Sequence, residues 1–265
     1  MKTPHVVART LGAAALLGIA FLVPAAAEEK LVGTYGEERA SLSFKVPEAR
    51  VQKLLPEGWE SAPVASGPSQ GANLNVVFVD WITVTNPDGK PGDSVRVAAI
   101  VAPARKKGTE AAVPMVVSGL VSLASYAPGP YGVFVPAKVT VDRHTRSDPA
   151  GATAAEEAWE YIGDAGDKIQ LQLNYTRGTL TRSKVEAKVY SALKPDFYRI
   201  YRYEMASDIV RSTATNVDRV QNLAFTASGP KLSDIFGGKE QLVSITSIPF
   251  YSRVVTLPEG MVAIK

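Results

Sequence analysis

From residue 40 onward, apolar and polar positions alternate in short runs divided by turn residues, the period expected of half-buried strands. Ala40–Val46 alternates small or polar residues with apolar ones. Leu74–Trp81 and Val95–Ala102 flank the polar stretch Asn86–Asp93, which carries two prolines and two glycines and predicts the loop of a long hairpin. Gly132–Val141 continues the pattern, with Pro136 marking a strand end or bulge. Ile169–Tyr175 and Val185–Tyr190 alternate strictly on either side of the basic turn Thr176–Lys184. Tyr198–Tyr203 sets Tyr198, Ile200 and Arg202 against Arg199, Tyr201 and Tyr203. Asn222–Ala227, Leu242–Ile248 and Phe250–Leu257 complete the strands.

Helical patterns are few. Pro47–Leu55 has Pro at a plausible first helical position and Glu48 in the first turn, where the helix dipole favours an acid. Val51, Leu54 and Leu55 share one face, and Pro56-Glu57-Gly58 ends the segment. Ala154–Tyr161 is a candidate for a second short helix, and Lys231–Phe236 for a single turn. Many short strands with few helices predict a mainly β (α+β) protein, an antiparallel barrel or sandwich. No repeat or linker divides the chain.

The first segment departs from this pattern. Lys2 and Arg9 precede a charge-free apolar run from Leu11 to Val23, and Pro24–Ala27 follows with the A-x-A form of a cleavage site. This is the plan of a secretory signal peptide over residues 1–27, which leaves a single domain over 28–265 and a periplasmic or secreted location. After cleavage no transmembrane anchor is expected, since the apolar run is too short to span a bilayer comfortably.

Composition narrows the chemistry. There is no Cys, so disulfides, thiolate metal sites and Cys nucleophiles are excluded. His5 leaves with the leader, and the remaining His144 cannot build a two-imidazole metal centre. The mature chain has 27 basic against 26 acidic residues, a balance of +1 that gives no reason to expect nucleic acid as a partner. No metal or cofactor is expected.

His144 follows Asp142 by two residues, so on a strand both point to one side. A hydrolase built on them lacks a G-x-S-x-G elbow, and the plainer reading is a loop histidine among surface charges. Glu156, Glu157 and Glu160 offer carboxylates for acid–base work or a solvated face. Asp164–Asp167 reads as a turn, Arg105–Lys107 as a basic loop tip, and Asn174-Tyr175-Thr176 as a chance glycosylation sequon.

Three segments in order resemble the acetoacetate decarboxylase-like superfamily. They are Pro47–Trp59 with Leu74–Trp81; Pro130–Val141 with Glu156–Tyr161 and Ile169–Tyr175; and Gly229–Phe236 through Leu242–Leu257. The resemblance implies a closed antiparallel β-barrel around an apolar cavity, and oligomers occur in the family. Its members decarboxylate β-keto acids through a Schiff base on a lysine of a Pro-Lys-Lys type motif, an amine that needs a depressed pKa. Here the corresponding stretch, Trp159–Asp164, holds no lysine, and Lys168 is the nearest. The family's PY-x-E glutamate is missing at Pro130–Val133. Arg39 is the candidate for its arginine near the start of the domain.

The resemblance without the lysine implies a barrel that binds a small apolar or keto-acid-like ligand without covalent chemistry. Arg39, Trp159 and Tyr161 are the expected binding residues, with Glu156–Ile162 at the mouth. Catalytic residues are not identified. A divergent lyase on Lys138 or Lys168, a hydrolase on His144, and a structural envelope protein with a filled barrel stay open as alternatives.

Overall fold

The computed structural model describes residues 28–264, so the expected signal peptide lies outside the described residues. Strands take 60% of the chain and helices 5%, which makes the class mainly β.

Seven strands are paired in a circuit. β1 (Glu29–Lys45) pairs with β3 (Leu74–Thr85), and β3 with β4 (Arg96–Lys106). β4 pairs with β5 (Val113–Val121), and β5 with β9 (Thr181–Ser191). β9 pairs with β10 (Tyr198–Ser212), β10 with β13 (Gln241–Pro258), and β13 returns to β1. Four further strands form a second layer in the order β12 (Val220–Ser228), β8 (Lys168–Thr176), β7 (Thr153–Gly163), β6 (Phe134–Ser147). Short strands β2 (Trp59–Ser61) and β11 (Val217–Asp218) pair with β4 and β10.

The alternation of each circuit strand divides its side chains between two interiors. On β1, Ala40, Leu42 and Phe44 point to a core shared with the second layer, where they meet Trp159, Tyr161, Ile169, Leu171 and Leu173. Residues of the opposite parity, among them Tyr35, Val79, Trp81, Val97 and Tyr201, form a separate cluster inside the circuit. The short helices α1 (Glu48–Gln52) and α2 (Leu232–Ile235) add Val51, Leu232 and Ile235 to the shared core.

The long hairpin is present, with Asn75–Asp80 opposite Arg96–Val101. Pro136 stands where β6 changes partners, ending the parallel pairing with β5 at Val121 and preceding the antiparallel ladder with β7. Other expectations need correction. Ala154–Tyr161 is not a helix but most of β7; Ala155, Trp159 and Tyr161 are buried while Ala154, Glu156 and Ile162 are exposed, a period of two. Pairing with β6 and β8 overrides the helical propensity of Ala and Glu here. Leu242–Ile248 and Phe250–Leu257 are one strand, interrupted by a register slip around Pro249. The pairing is not wholly antiparallel, because β5 runs parallel to both β6 and β9. Ile169–Tyr175 and Val185–Tyr190 belong to different layers, on β8 and β9.

Candidate functional site

The inward face of β1 reads Tyr35, Glu37, Arg39, Ser41, Ser43, a polar series against the apolar Ala40, Leu42 and Phe44 of its other face. Two bulges concentrate here. The β1–β3 register slips between Gly36 and Glu37, and the β1–β13 register slips between Glu37 and Arg39. Bulges re-aim side chains, and these two flank the most buried acid of the chain. Glu37 is fully buried.

Two guanidiniums meet it. Arg39 Nη2 donates to Glu37 Oε1 at 2.7 Å, and Arg253 Nη2 stands 2.8 Å from Glu37 Oε2. Tyr251 donates its hydroxyl to Oε1 as well. Arg253 is enclosed by aromatic faces, with its guanidinium carbon 4.7 Å from the Tyr201 ring centre, 5.4 Å from Tyr35 and 5.8 Å from Trp81. Such cation–π contacts favour a desolvated cation. Arg39 lies 5.5 Å from the Tyr251 ring. The Nε atoms of both arginines are buried and make no hydrogen bond. A third arginine, Arg199, is held among Tyr35, Tyr126, Tyr131 and Tyr201.

Arg39 and Arg253, with Trp81 and Tyr201, line one end of a cavity of about 280 Å³ inside the circuit. Its walls are Val77, Val79, Val97, Ala99, Val101 and Val116, and Tyr131 and Phe134 contribute from the segment after β5. Burial pushes the Tyr126, Tyr131 and Tyr251 hydroxyls above their ordinary range, so each is a neutral donor near pH 7. Tyr131 and Tyr201 share a hydrogen bond of 2.5 Å between their hydroxyls. For Arg39 burial opposes the charge, but Tyr251 and Glu37 outweigh it and the net shift is upward.

Of the expected residues, Arg39 lines the cavity and is 16% exposed. Trp159 and Tyr161 do not join it. Both are buried in the core between the layers, stacked near Phe78 at 5.6 and 6.0 Å. The reason is positional: β7 belongs to the second layer, and its inward face meets the outside of the circuit. Lys138 is exposed, and Lys168 pairs with Glu160 at 3.0 Å near the surface. His144 lies 3.0 Å from Asp142 on the outer reach of β6, with both side chains largely in solvent. No lysine is among the residues lining the cavity.

Sequence reasoning missed Glu37, Arg253 and Tyr251. Glu37 carried a signal, since it precedes Arg39 by two on the same strand face. Tyr251 and Arg253 carried none, because they fill the buried slots of an alternation whose apolar members Phe250 and Val254 are exposed.

A second, polar depression opens on the far side of Arg39, lined in part by Glu38, Arg143, His144, Glu157 and Arg177. Glu157 accepts hydrogen bonds from Trp159 Nε1 at 3.0 Å and from the Tyr175 hydroxyl at 2.9 Å. Among the described residues no group of three or more His, Asp or Glu is placed to hold a metal ion.

No family model and no curated protein matches the sequence. Solved structures do. The chain is similar to the enduracididine biosynthesis enzyme MppR with HEPES bound, at a TM-score of 0.53 and 15% identity over 97% of this chain and 98% of that one. The same enzyme complexed with pyruvate gives 0.50 and 13%, over 87% and 89%. An acetoacetate decarboxylase-like enzyme from Sphingomonas wittichii RW1 gives 0.49 and 14%, over 90% and 95%. The chain therefore shares the fold of MppR.

Proposed function

We propose that this chain is an exported, closed β-barrel of the acetoacetate decarboxylase-like type that binds a small carboxylate with an apolar body, without covalent chemistry. The observation that carries the reading is the charge arrangement at the cavity end. Two guanidiniums, Arg39 and Arg253, share the single carboxyl of Glu37. An unbalanced cation in an apolar interior is costly unless an anion joins it. A carboxylate is the simplest such anion, and the valine walls suit an apolar body. MppR has been solved with pyruvate, a keto acid, which is in keeping with an acid as ligand for this fold.

Schiff-base decarboxylation is not part of the reading, since the amine it requires is missing from the cavity wall. Lys138, Lys168 and His144 lie outside the cavity and give the lyase and hydrolase alternatives no support.

Trp81 lines the cavity and reports on its occupancy. Titration with hexanoate or acetoacetate is expected to change Trp fluorescence saturably, and Arg39→Gln to weaken binding roughly tenfold or more, the scale of a lost charged hydrogen bond. Borohydride with acetoacetate is expected to trap no adduct. Absence of saturable binding, or a lysine adduct with CO₂ release, overturns the reading. Export rests on Lys2, Arg9, the apolar run and the Ala27 site. Intact mass of the extracytoplasmic protein should give an N-terminus near Glu28; a cytoplasmic chain that keeps Met1 refutes it.

A further inference from the structure

The cavity is polar at both ends. Arg39 and Arg253 form one end, Asn75 lines the other, and Ser41 lies between them. Register fixes their spacing. Arg39 lies opposite Val79, Ser41 opposite Val77, and Ser43 opposite Asn75. From the level of Arg39 to Asn75 is thus four residues along β3, roughly 13 Å at the rise of a strand. Val77 and Val79, with Val97, Ala99 and Val101 of β4, line the interval.

Asn75 is held from behind. Its Oδ1 accepts the Ser43 hydroxyl at 2.7 Å. Ser43 Oγ is also 3.2 Å from Ser69 Oγ, which lies 2.8 Å from Ser244 Oγ. This chain of hydroxyls links β1, the loop before β3, and β13. It gives the carbonyl oxygen of Asn75 a donor, the amide NH₂ is the group turned to a ligand, and the Ser41 hydroxyl stands one inward position from it. A cavity shaped only for an alkyl acid would gain from an apolar residue at position 75, because an amide covered by a hydrocarbon tail loses its hydrogen bonds to water.

Building on the carboxylate reading above, we propose that the ligand is bifunctional. A carboxylate lies at Arg39, an apolar stem crosses the valines, and a hydroxyl or carbonyl oxygen at the far end accepts from Asn75 and meets Ser41. The class is an apolar carboxylic acid with a terminal hydroxyl or oxo group. Sites that hydrogen-bond one substrate group discriminate strongly against analogues lacking it, since the site's polar group is then left unpaired.

The test is calorimetry at neutral pH with straight-chain acids of six, eight and ten carbons, each with and without a terminal hydroxyl. At the best-fitting length the hydroxy acid is expected to bind the wild-type protein about tenfold more tightly than the plain acid. Asn75→Leu should abolish that preference by strengthening the plain acid and weakening the hydroxy acid. Ser41→Ala, a smaller change, should reduce it. Equal affinities in the wild-type protein, or a preference that persists in Asn75→Leu, overturn the bifunctional ligand and leave the carboxylate reading standing. If no acid of any length binds, both fall, and the loss is assigned to the Arg39 end.

Discussion

An arginine enclosed by hydrocarbon is costly on its own, at several kcal/mol for a desolvated ion, and Arg39 and Arg253 are tolerated because Glu37 and four aromatic rings surround them. Glu157 presents the reverse case on the other side of the circuit. Burial raises its pKa above the usual carboxylate value, against the pull of the Trp159 and Tyr175 hydrogen bonds and of Arg143, with Glu38 adding to the rise. A group whose folded pKa is raised contributes stability that is full below the unfolded value near 4.5 and is lost as pH rises through the folded pKa. Glu157→Gln keeps an oxygen acceptor and cannot ionise. Its stability relative to the wild-type protein should therefore increase as pH is raised from 4 to 8 and then level off. Urea unfolding at a series of pH values measures this, and a difference independent of pH removes the buried charge as its cause. The family resemblance singles out Arg39, which lines the cavity. Glu37 was not singled out, although an acid two residues from an arginine on one strand face is the pattern of a pair turned inward together.

At the scale of elements, alternation was the readable signal, and it placed nearly every strand of the circuit. What it could not assign was the partner. Ile169–Tyr175 and Val185–Tyr190 alternate equally well, yet β8 pairs with β7 and β12 while β9 pairs with β10 and β5. A period of two fixes which side chains share a face, not which strand lies alongside. β7 misled for a different reason. Ala154-Ala155-Glu156-Glu157-Ala158 is rich in helix formers, and three consecutive residues of intermediate or low burial blur the period until Trp159 and Tyr161 restore it. Pro249 misled by suggesting an end to a strand that instead slips register and continues, with Tyr251 and Arg253 brought inward after the slip. The bulges are the part of the site that the alternation conceals, and they are what bring Glu37, Arg39 and Arg253 together.

At the scale of the whole molecule, the circuit has two separate apolar surfaces, one against the second layer and one around the cavity. The family resemblance puts Glu156–Ile162 at the barrel mouth, with Trp159 and Tyr161 close to the cavity. In the structure the circuit stands between them and the cavity. Phe78 faces Trp159, whereas its neighbours Val77 and Val79 face the cavity. The two interiors should therefore respond independently to mutation. Trp159→Ala removes a fully buried ring from the core between the layers and should cost about 3–5 kcal/mol of stability. Hexanoate affinity, measured where the variant is still folded, should stay within about twofold, since effects at sites without shared partners are nearly independent. Should the alanine variant fail to fold, Trp159→Phe carries the same comparison at a smaller cost. Arg39→Gln should show the opposite balance, a large loss of affinity with a smaller loss of stability, because Arg253 and Tyr251 still hold Glu37. A Trp159 variant that folds normally but loses the ligand would place the binding site between the layers, and the cavity inside the circuit would then lose its assigned role.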